Sequence, residues 1–210
     1  YVKELGHTDS SINAMYYCSS ANPRKVTVTA GSTTTVSFTN KLNTGVISLT
    51  KTTEDSQNLS GWQFGIYSNS ACTTLVSGPH STNTSGKISI TGLTPGTYYV
   101  KELGNTDSSI DALYYCSSTN PQSVTVTAGG TTSVSFYNKL NTGSAKMVKT
   151  TNTGANLSGW QIGLYTDADC TNAVAGSPFT TGADGTVTAV GLQKGTYYAK
   201  EIPTDDPYWE

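Results

Sequence analysis

Charge is scarce in this chain. Only 12% of its 210 residues are Asp, Glu, Lys or Arg, and the formal net charge is −2. Such a balance offers nucleic acid no basic footprint. The two histidines, His7 and His80, stand alone, with no serine or cysteine nucleophile arranged around them, and read as exposed loop residues. There is no run of 18 apolar residues, so no membrane-spanning helix is expected. The opening Tyr1-Val2-Lys3-Glu4 is not a signal peptide, which places any targeting or anchoring segment outside this sequence. The four cysteines form no CxxC pair and no Cys/His cluster, which removes zinc. Asp167, Asp169 and Asp184, like Asp205, Asp206 and Glu210, lack the spacing and central glycine of a calcium loop. No metal and no cofactor are expected. A sustained helical period is missing as well.

What the chain does have is repetition. Tyr17-Cys18-Ser19-Ser20 returns as Tyr115-Cys116-Ser117-Ser118, and Gly61-Trp62-Gln63 returns as Gly159-Trp160-Gln161, in both cases after 98 residues. Because Tyr1-Val2-Lys3-Glu4 matches Tyr99-Val100-Lys101-Glu102, the sequence opens in mid-unit, and it closes in mid-unit too. The expected division is the C-terminal part of a repeat over 1–45, a complete repeat over 46–143, and the N-terminal part of the next over 144–210. Arrays of near-identical modules serve reach and mechanical continuity more often than catalysis.

Cys18 and Cys116 are repeat equivalents, as are Cys72 and Cys170, so each full repeat carries two cysteines. The even count favours a disulfide between Cys72 and Cys116, worth about 4 kcal/mol in the chain-entropy model, and an oxidising, extracellular setting. Buried free thiols are the alternative.

Short alternating segments at 46–50, 63–67, 87–90, 98–102, 123–127 and 132–138 read as strands, separated by turns such as Thr94-Pro95-Gly96 and Ala128-Gly129-Gly130. The expected fold is an all-β, immunoglobulin-like sandwich of about seven strands per unit. Residues i, i+2 and i+4 of a strand share a face, so apolar members show where polar ones point. Ile47, Leu49 and Lys51 share one face; so do Tyr98, Val100 and Glu102, and so do Val134, Phe136 and Asn138. Each core-facing row ends in a polar group. The pattern recurs in Lys149, in Asn40, and in Glu4 and Glu201, the equivalents of Glu102.

Burial of an ammonium and a carboxylate is expensive unless they are paired, and it drives both toward neutrality. A neutral Lys51 amine is a nucleophile. A protonated Glu102 can polarise the Asn138 side-chain carbonyl and pass protons to departing ammonia. The product is an isopeptide bond from Lys51 to Asn138 that ties the first strand to the last, with Glu102 as proton shuttle. The alternatives are an uncrosslinked ion pair bonded to asparagine, or a lysine that snorkels outward. Lys149 has no asparagine of its own unit and Asn40 no lysine, so no such bond within the chain is expected at the ends; completion by a second molecule is an open alternative.

These residues resemble the B-type repeat of collagen adhesins, also called the SpaA-type or prealbumin-like domain of Gram-positive pilins and surface proteins. The likeness is carried by Ile47-Ser48-Leu49-Thr50-Lys51, the Gly-Trp-Gln-Phe strand through Tyr67, Leu93 through Glu102, and Val134-Ser135-Phe136-Tyr137-Asn138-Lys139. Where that family often continues Ala-Pro-x-Gly-Tyr after its glutamate, this chain has Leu103-Gly104-Asn105-Thr106-Asp107. The resemblance implies tandem prealbumin-like sandwiches, an intramolecular isopeptide bond at the three polar positions, and a place on the bacterial cell surface.

The function expected is therefore a structural stalk or shaft repeat of an adhesin or pilus-like fibre. It is not an enzyme beyond the reaction on itself. Its expected partners are neighbouring repeats or head-to-tail copies, with any host or glycan ligand held by other domains, and no nucleic acid or membrane. The alternative is a β-sandwich module that itself binds a glycan or host protein through Trp62, Trp160 and the tyrosine pairs.

Overall fold

The computed structural model describes residues 1–203, so the acidic group Asp205, Asp206 and Glu210 lies outside the described residues. The chain divides into two compact units, Tyr1–Asp111 with Cys116–Lys139, and Ala112–Tyr115 with Leu140 onward.

The first unit opens with a short helix α1 (Ser10–Met15), capped by Asp9, whose side chain accepts from the Ser11 amide. Strands β1 (Tyr16–Cys18) and β2 (Asn40–Leu42) follow and pair antiparallel, Cys18 opposite Asn40. Eight strands come next: β3 (Gly45–Thr53), β4 (Trp62–Tyr67), β5 (Leu75–Ser81), β6 (Lys87–Leu93), β7 (Gly96–Asn105), β8 (Tyr114–Cys116), β9 (Gln122–Val126) and β10 (Thr131–Leu140), with a four-residue helix α2 (Ser108–Asp111) before β8. They form two four-stranded sheets, β6-β3-β10-β8 and β5-β4-β7-β9.

Strict alternation builds the core. In β3 every second residue from Gly45 to Thr53 is buried, and the other row faces outward. Ile47, Leu49, Val134 and Phe136 from one sheet meet Phe64, Ile66, Val100 and Val126 from the other, all of them buried. Phe64 and Phe136 pack as a tilted pair with ring centroids 5.0 Å apart. The first and last strands lie side by side and parallel, Leu49 opposite Val134 and Lys51 opposite Phe136. Trp62 and Trp160 are core residues rather than a sugar-stacking surface, and each indole donates to a backbone carbonyl, Asn58 or Asn156, at 2.7 Å.

The expected strands are all present; four of the six are three to five residues longer than expected, β4 is one residue longer, and β9 has the expected length shifted by one residue. β5 and β8 exceed the expectation, as do the two short helices. β5 is an edge strand with Gly78-Pro79 inside it and two register shifts against β4, so it carries little alternation.

Gly86 holds a tight turn against the lysine strand. Its φ is +69°, its carbonyl accepts from the Lys51 amide at 2.7 Å, and an added Cβ would strike the Lys51 carbonyl oxygen. Gly86→Ala is expected to lower the unfolding free energy by about 1–3 kcal/mol. An unchanged midpoint in urea denaturation would refute this.

The second unit contains β11 (Gly143–Val148), β12 (Gln161–Tyr165), β13 (Phe179–Thr180), β14 (Thr186–Leu192) and β15 (Tyr198–Glu201). They make a two-stranded sheet, β11-β14, and a three-stranded one, β13-β12-β15. Met147, Ile162, Leu164 and Ala189 form its core. Asp167 and Asp184, read above against a calcium loop, are turn-closing residues: Asp167 accepts from Thr171 and Asn172, and Asp184 from Thr186. These bonds hold both carboxyls below the usual carboxylate range.

Candidate cross-linking site

Three neighbouring strands place the three polar side chains. Lys51 comes from β3, Asn138 from β10 beside it, and Glu102 from β7 in the facing sheet; their residue exposures are 0%, 1% and 6%. The Glu102 carboxylate joins the other two. Its Oε2 lies 3.2 Å from Lys51 Nζ, and its Oε1 accepts a 2.6 Å hydrogen bond from Asn138 Nδ2. Lys51 Nζ also reaches the Thr52 carbonyl at 3.4 Å and sits 4.5 Å from the centroid of the Trp62 ring.

Burial pushes the Lys51 pKa down, against the opposing pull of the Glu102 charge. The neutral amine is thereby favoured relative to a lysine in water. Asn138 Oδ1 is buried without a hydrogen-bond partner. Glu102 thus meets the amide at its nitrogen and not at its carbonyl, which differs from the polarising role expected above. A proton that enters the carboxylate from Lys51 at Oε2 has a path out at Oε1 to the nitrogen that would leave.

Cys116 lies beside this group. Its thiol is pushed up in pKa first by burial and then by the Glu102 carboxylate. Sequence reasoning missed this neighbour, although Tyr114 and Cys116 share a strand face and Tyr114 is buried.

The disulfide expected between Cys72 and Cys116 is not formed, and the structure corrects that expectation: all four cysteines are free thiols. Cys72 sits in the turn after β4, where its thiol donates to the Ser70 carbonyl at 3.8 Å; that of Cys116 donates to Ser118 at 3.7 Å. Along β4 the Glu102 level is marked by Phe64 and the Cys72 end by Tyr67, which faces Tyr99. Three residues of strand separate those levels by about 10 Å, beyond the reach of about 7 Å between Cα atoms of a disulfide.

The profile of the SpaA prealbumin-like fold domain matches residues 45–140 and again 143–209. The chain belongs to the SpaA family of prealbumin-like fold domains. No curated protein matches its sequence. Among solved structures, the Bacillus anthracis TIE protein is 21% identical with a TM-score of 0.56, over 79% of this chain and 31% of that one. A streptococcal ancillary pilin is 22% identical, with a TM-score of 0.40 over 77% of this chain and 54% of that one. The D295N mutant of the shaft pilin of Lactobacillus rhamnosus GG is 21% identical, with a TM-score of 0.36 over 78% and 89%. The chain thus spans about a third of the first of these and about half of the second.

Two further places in the chain each bring together two repeat equivalents of the trio. Asn40 Nδ2 donates to Glu4 Oε1 at 2.6 Å, the same contact that Asn138 makes with Glu102. Lys149 Nζ meets both oxygens of Glu201, at 2.7 and 2.8 Å, and lies 3.9 Å from the centroid of the Trp160 ring. The Lys149 and Glu201 side chains are 18% and 45% exposed, against 0% and 4% for Lys51 and Glu102.

Proposed function

We propose that this chain is a structural segment of an extracellular bacterial surface fibre, a stalk or pilus-like shaft, whose complete unit over 46–143 cross-links itself. Lys51 Nζ attacks the Asn138 side-chain carbonyl carbon. The carbon–nitrogen bond to Nδ2 breaks, Glu102 carries the proton from the amine to the departing nitrogen, and one ammonia leaves. The observation that carries this reading is the single buried carboxylate shared by a buried lysine and a buried asparagine amide. A structural role follows from the same geometry. The bond joins the first strand to the last, which run parallel, so tension applied at the two ends of the unit would pass through the amide before the sheets could shear. Membership of a family of prealbumin-like domains, and likeness to solved pilins, agree with such a role.

The intact mass of the denatured, reduced protein tests the proposal. We expect a deficit of one ammonia against the mass calculated from sequence, restored to the full value by Lys51→Ala and by Asn138→Ala. Full calculated mass in the unaltered protein would overturn the cross-link, leaving the trio as a polar network and favouring a module that binds a glycan or host protein.

A further inference from the structure

The side-chain oxygen of Asn138 is unsupported. Glu102 takes the amide nitrogen, and Oδ1 is buried with no hydrogen bond among the described residues. Attack by Lys51 Nζ on Cγ would drive an electron pair onto that oxygen. The atom that gains charge in the reaction is therefore the one the carboxylate does not touch. An acyl-transfer intermediate of this kind is stabilised by a donor aimed at the oxyanion, and in a water-excluded site such a donor is worth far more than in water.

Strand β8 supplies a candidate. Ser117 N donates to the Tyr137 carbonyl at 3.0 Å, which sets Cys116 opposite Asn138 on the neighbouring strand β10. One step from a hydrogen-bonded position, this is a non-hydrogen-bonded pair, the kind whose Cα atoms approach to about 4.5 Å and whose side chains lie closest. Directly opposed residues share a face, so the thiol and the amide point the same way. The repeat equivalents pair identically, Cys18 opposite Asn40. Cys116 is half-buried, and its thiol donates to the Ser118 carbonyl at 3.7 Å, a long bond from a weak donor. Burial and the Glu102 carboxylate both raise its pKa, so the thiol keeps the proton it needs in order to donate.

We infer that the Cys116 thiol is the hydrogen-bond donor to Asn138 Oδ1 while the Lys51–Asn138 amide forms. This rests on the amide chemistry proposed for Lys51 and Asn138. As Nζ bonds to Cγ, the carbonyl electron pair moves to Oδ1 and the amine proton passes to Glu102. Two acceptors beside the thiol thereby exchange strength, because the carboxylate becomes neutral just as Oδ1 becomes charged. The thiol turns to the stronger acceptor and donates a hydrogen bond without giving up its proton. When the intermediate collapses, the pair returns to the carbonyl, the bond from Cγ to Nδ2 breaks, and Glu102 hands its proton to the ammonia that leaves. Glu102 and Cys116 thus divide the amide between them, one at its nitrogen and the other at its oxygen.

The test follows the full 210-residue chain from its synthesis. Each variant is made in a reducing cell-free reaction, sampled at intervals into denaturant and weighed, so that the fraction lacking one ammonia is read against time. Four substitutions form two matched pairs. Cys116→Thr and Cys116→Val share a shape, as Cys116→Ser and Cys116→Ala nearly do, and only the first of each pair carries a donor. Loss of a strong oxyanion donor slows acyl transfer by about 10²–10³-fold, so for the weaker thiol we expect Val and Ala to lose ammonia about tenfold more slowly or worse. Thr and Ser should stay near the rate of the unaltered chain. A purely structural role reverses this order, because Val and Ala keep the half-buried site apolar and the hydroxyls do not. Either pair decides the matter where the volume of the other is not accommodated. Val and Ala variants as fast as their hydroxyl partners would overturn the inference and leave the Lys51–Asn138 amide standing. Hydroxyl variants as slow as Val and Ala would overturn it too, since a restored donor would then restore nothing. An unaltered chain that never loses ammonia would refute the amide itself, and with it any donor to its oxygen.

Discussion

Glu102→Ala should yield a protein of full calculated mass that unfolds at far lower denaturant than the unaltered chain. Two losses coincide in this variant. The carboxylate is the contact shared by Lys51 Nζ and Asn138 Nδ2, so its removal leaves neither a proton acceptor for the amine nor a donor for the departing nitrogen. Without the amide, the constraint on the loop between strands β3 and β10 disappears, worth about 4–5 kcal/mol in the chain-entropy model. The variant also leaves a fully buried lysine without its partner, and breaking a buried pair in this way costs about 3–5 kcal/mol. Glu102→Gln separates the two effects, because it preserves shape and hydrogen bonding but cannot carry the proton. It should show the full mass and a smaller loss of stability than Glu102→Ala. Intact mass combined with guanidinium unfolding reads both quantities. A Glu102→Gln protein that still lacks one ammonia would remove Glu102 from the proton path.

The site was legible because strand faces are legible. Lys51, Glu102 and Asn138 each end a row of buried apolar residues, so alternation alone points their side chains inward. It does not say what lies across the core or which atom of an amide a carboxylate touches. Those depend on sheet pairing at long range, here β7 facing the parallel β3–β10 pair. That is why the contact at Asn138 Nδ2 and the neighbouring thiol of Cys116 became visible only in three dimensions.

The disulfide expectation failed for a related reason. Parity counts cysteines but carries no information about depth along a strand: Cys72 lies in the turn beyond the Tyr67 end of β4, whereas Cys116 lies on β8 of the other sheet. β5 escaped notice because Gly78-Pro79 interrupts its pattern and its partner strand tolerates two register shifts. The short helices escaped because four or six residues are too few to display a helical period. At the repeat equivalents of the trio the same kinds of contact recur, Asn40 donating to Glu4 and Lys149 pairing with Glu201.

Phe136→Ala links packing to chemistry. Phe136 is fully buried, faces Lys51 in the parallel register, and packs on Phe64 across the two sheets. Truncation of a buried phenylalanine costs about 3–5 kcal/mol. The cavity would lie against the trio, whose polar atoms include the unsatisfied Asn138 Oδ1, so water that enters has a partner waiting. Hydration relieves the burial that depresses the Lys51 pKa and returns the amine toward its protonated, unreactive form. The expected product is a freshly expressed protein in which a large fraction of chains retains the full mass. Val126→Ala is the control: Val126 is just as buried but lies at the Gly96 end of β7, six positions from Glu102, so it should lose stability and still show the complete ammonia deficit. Complete cross-linking in Phe136→Ala would mean that the lysine does not depend on this wall for its dry setting.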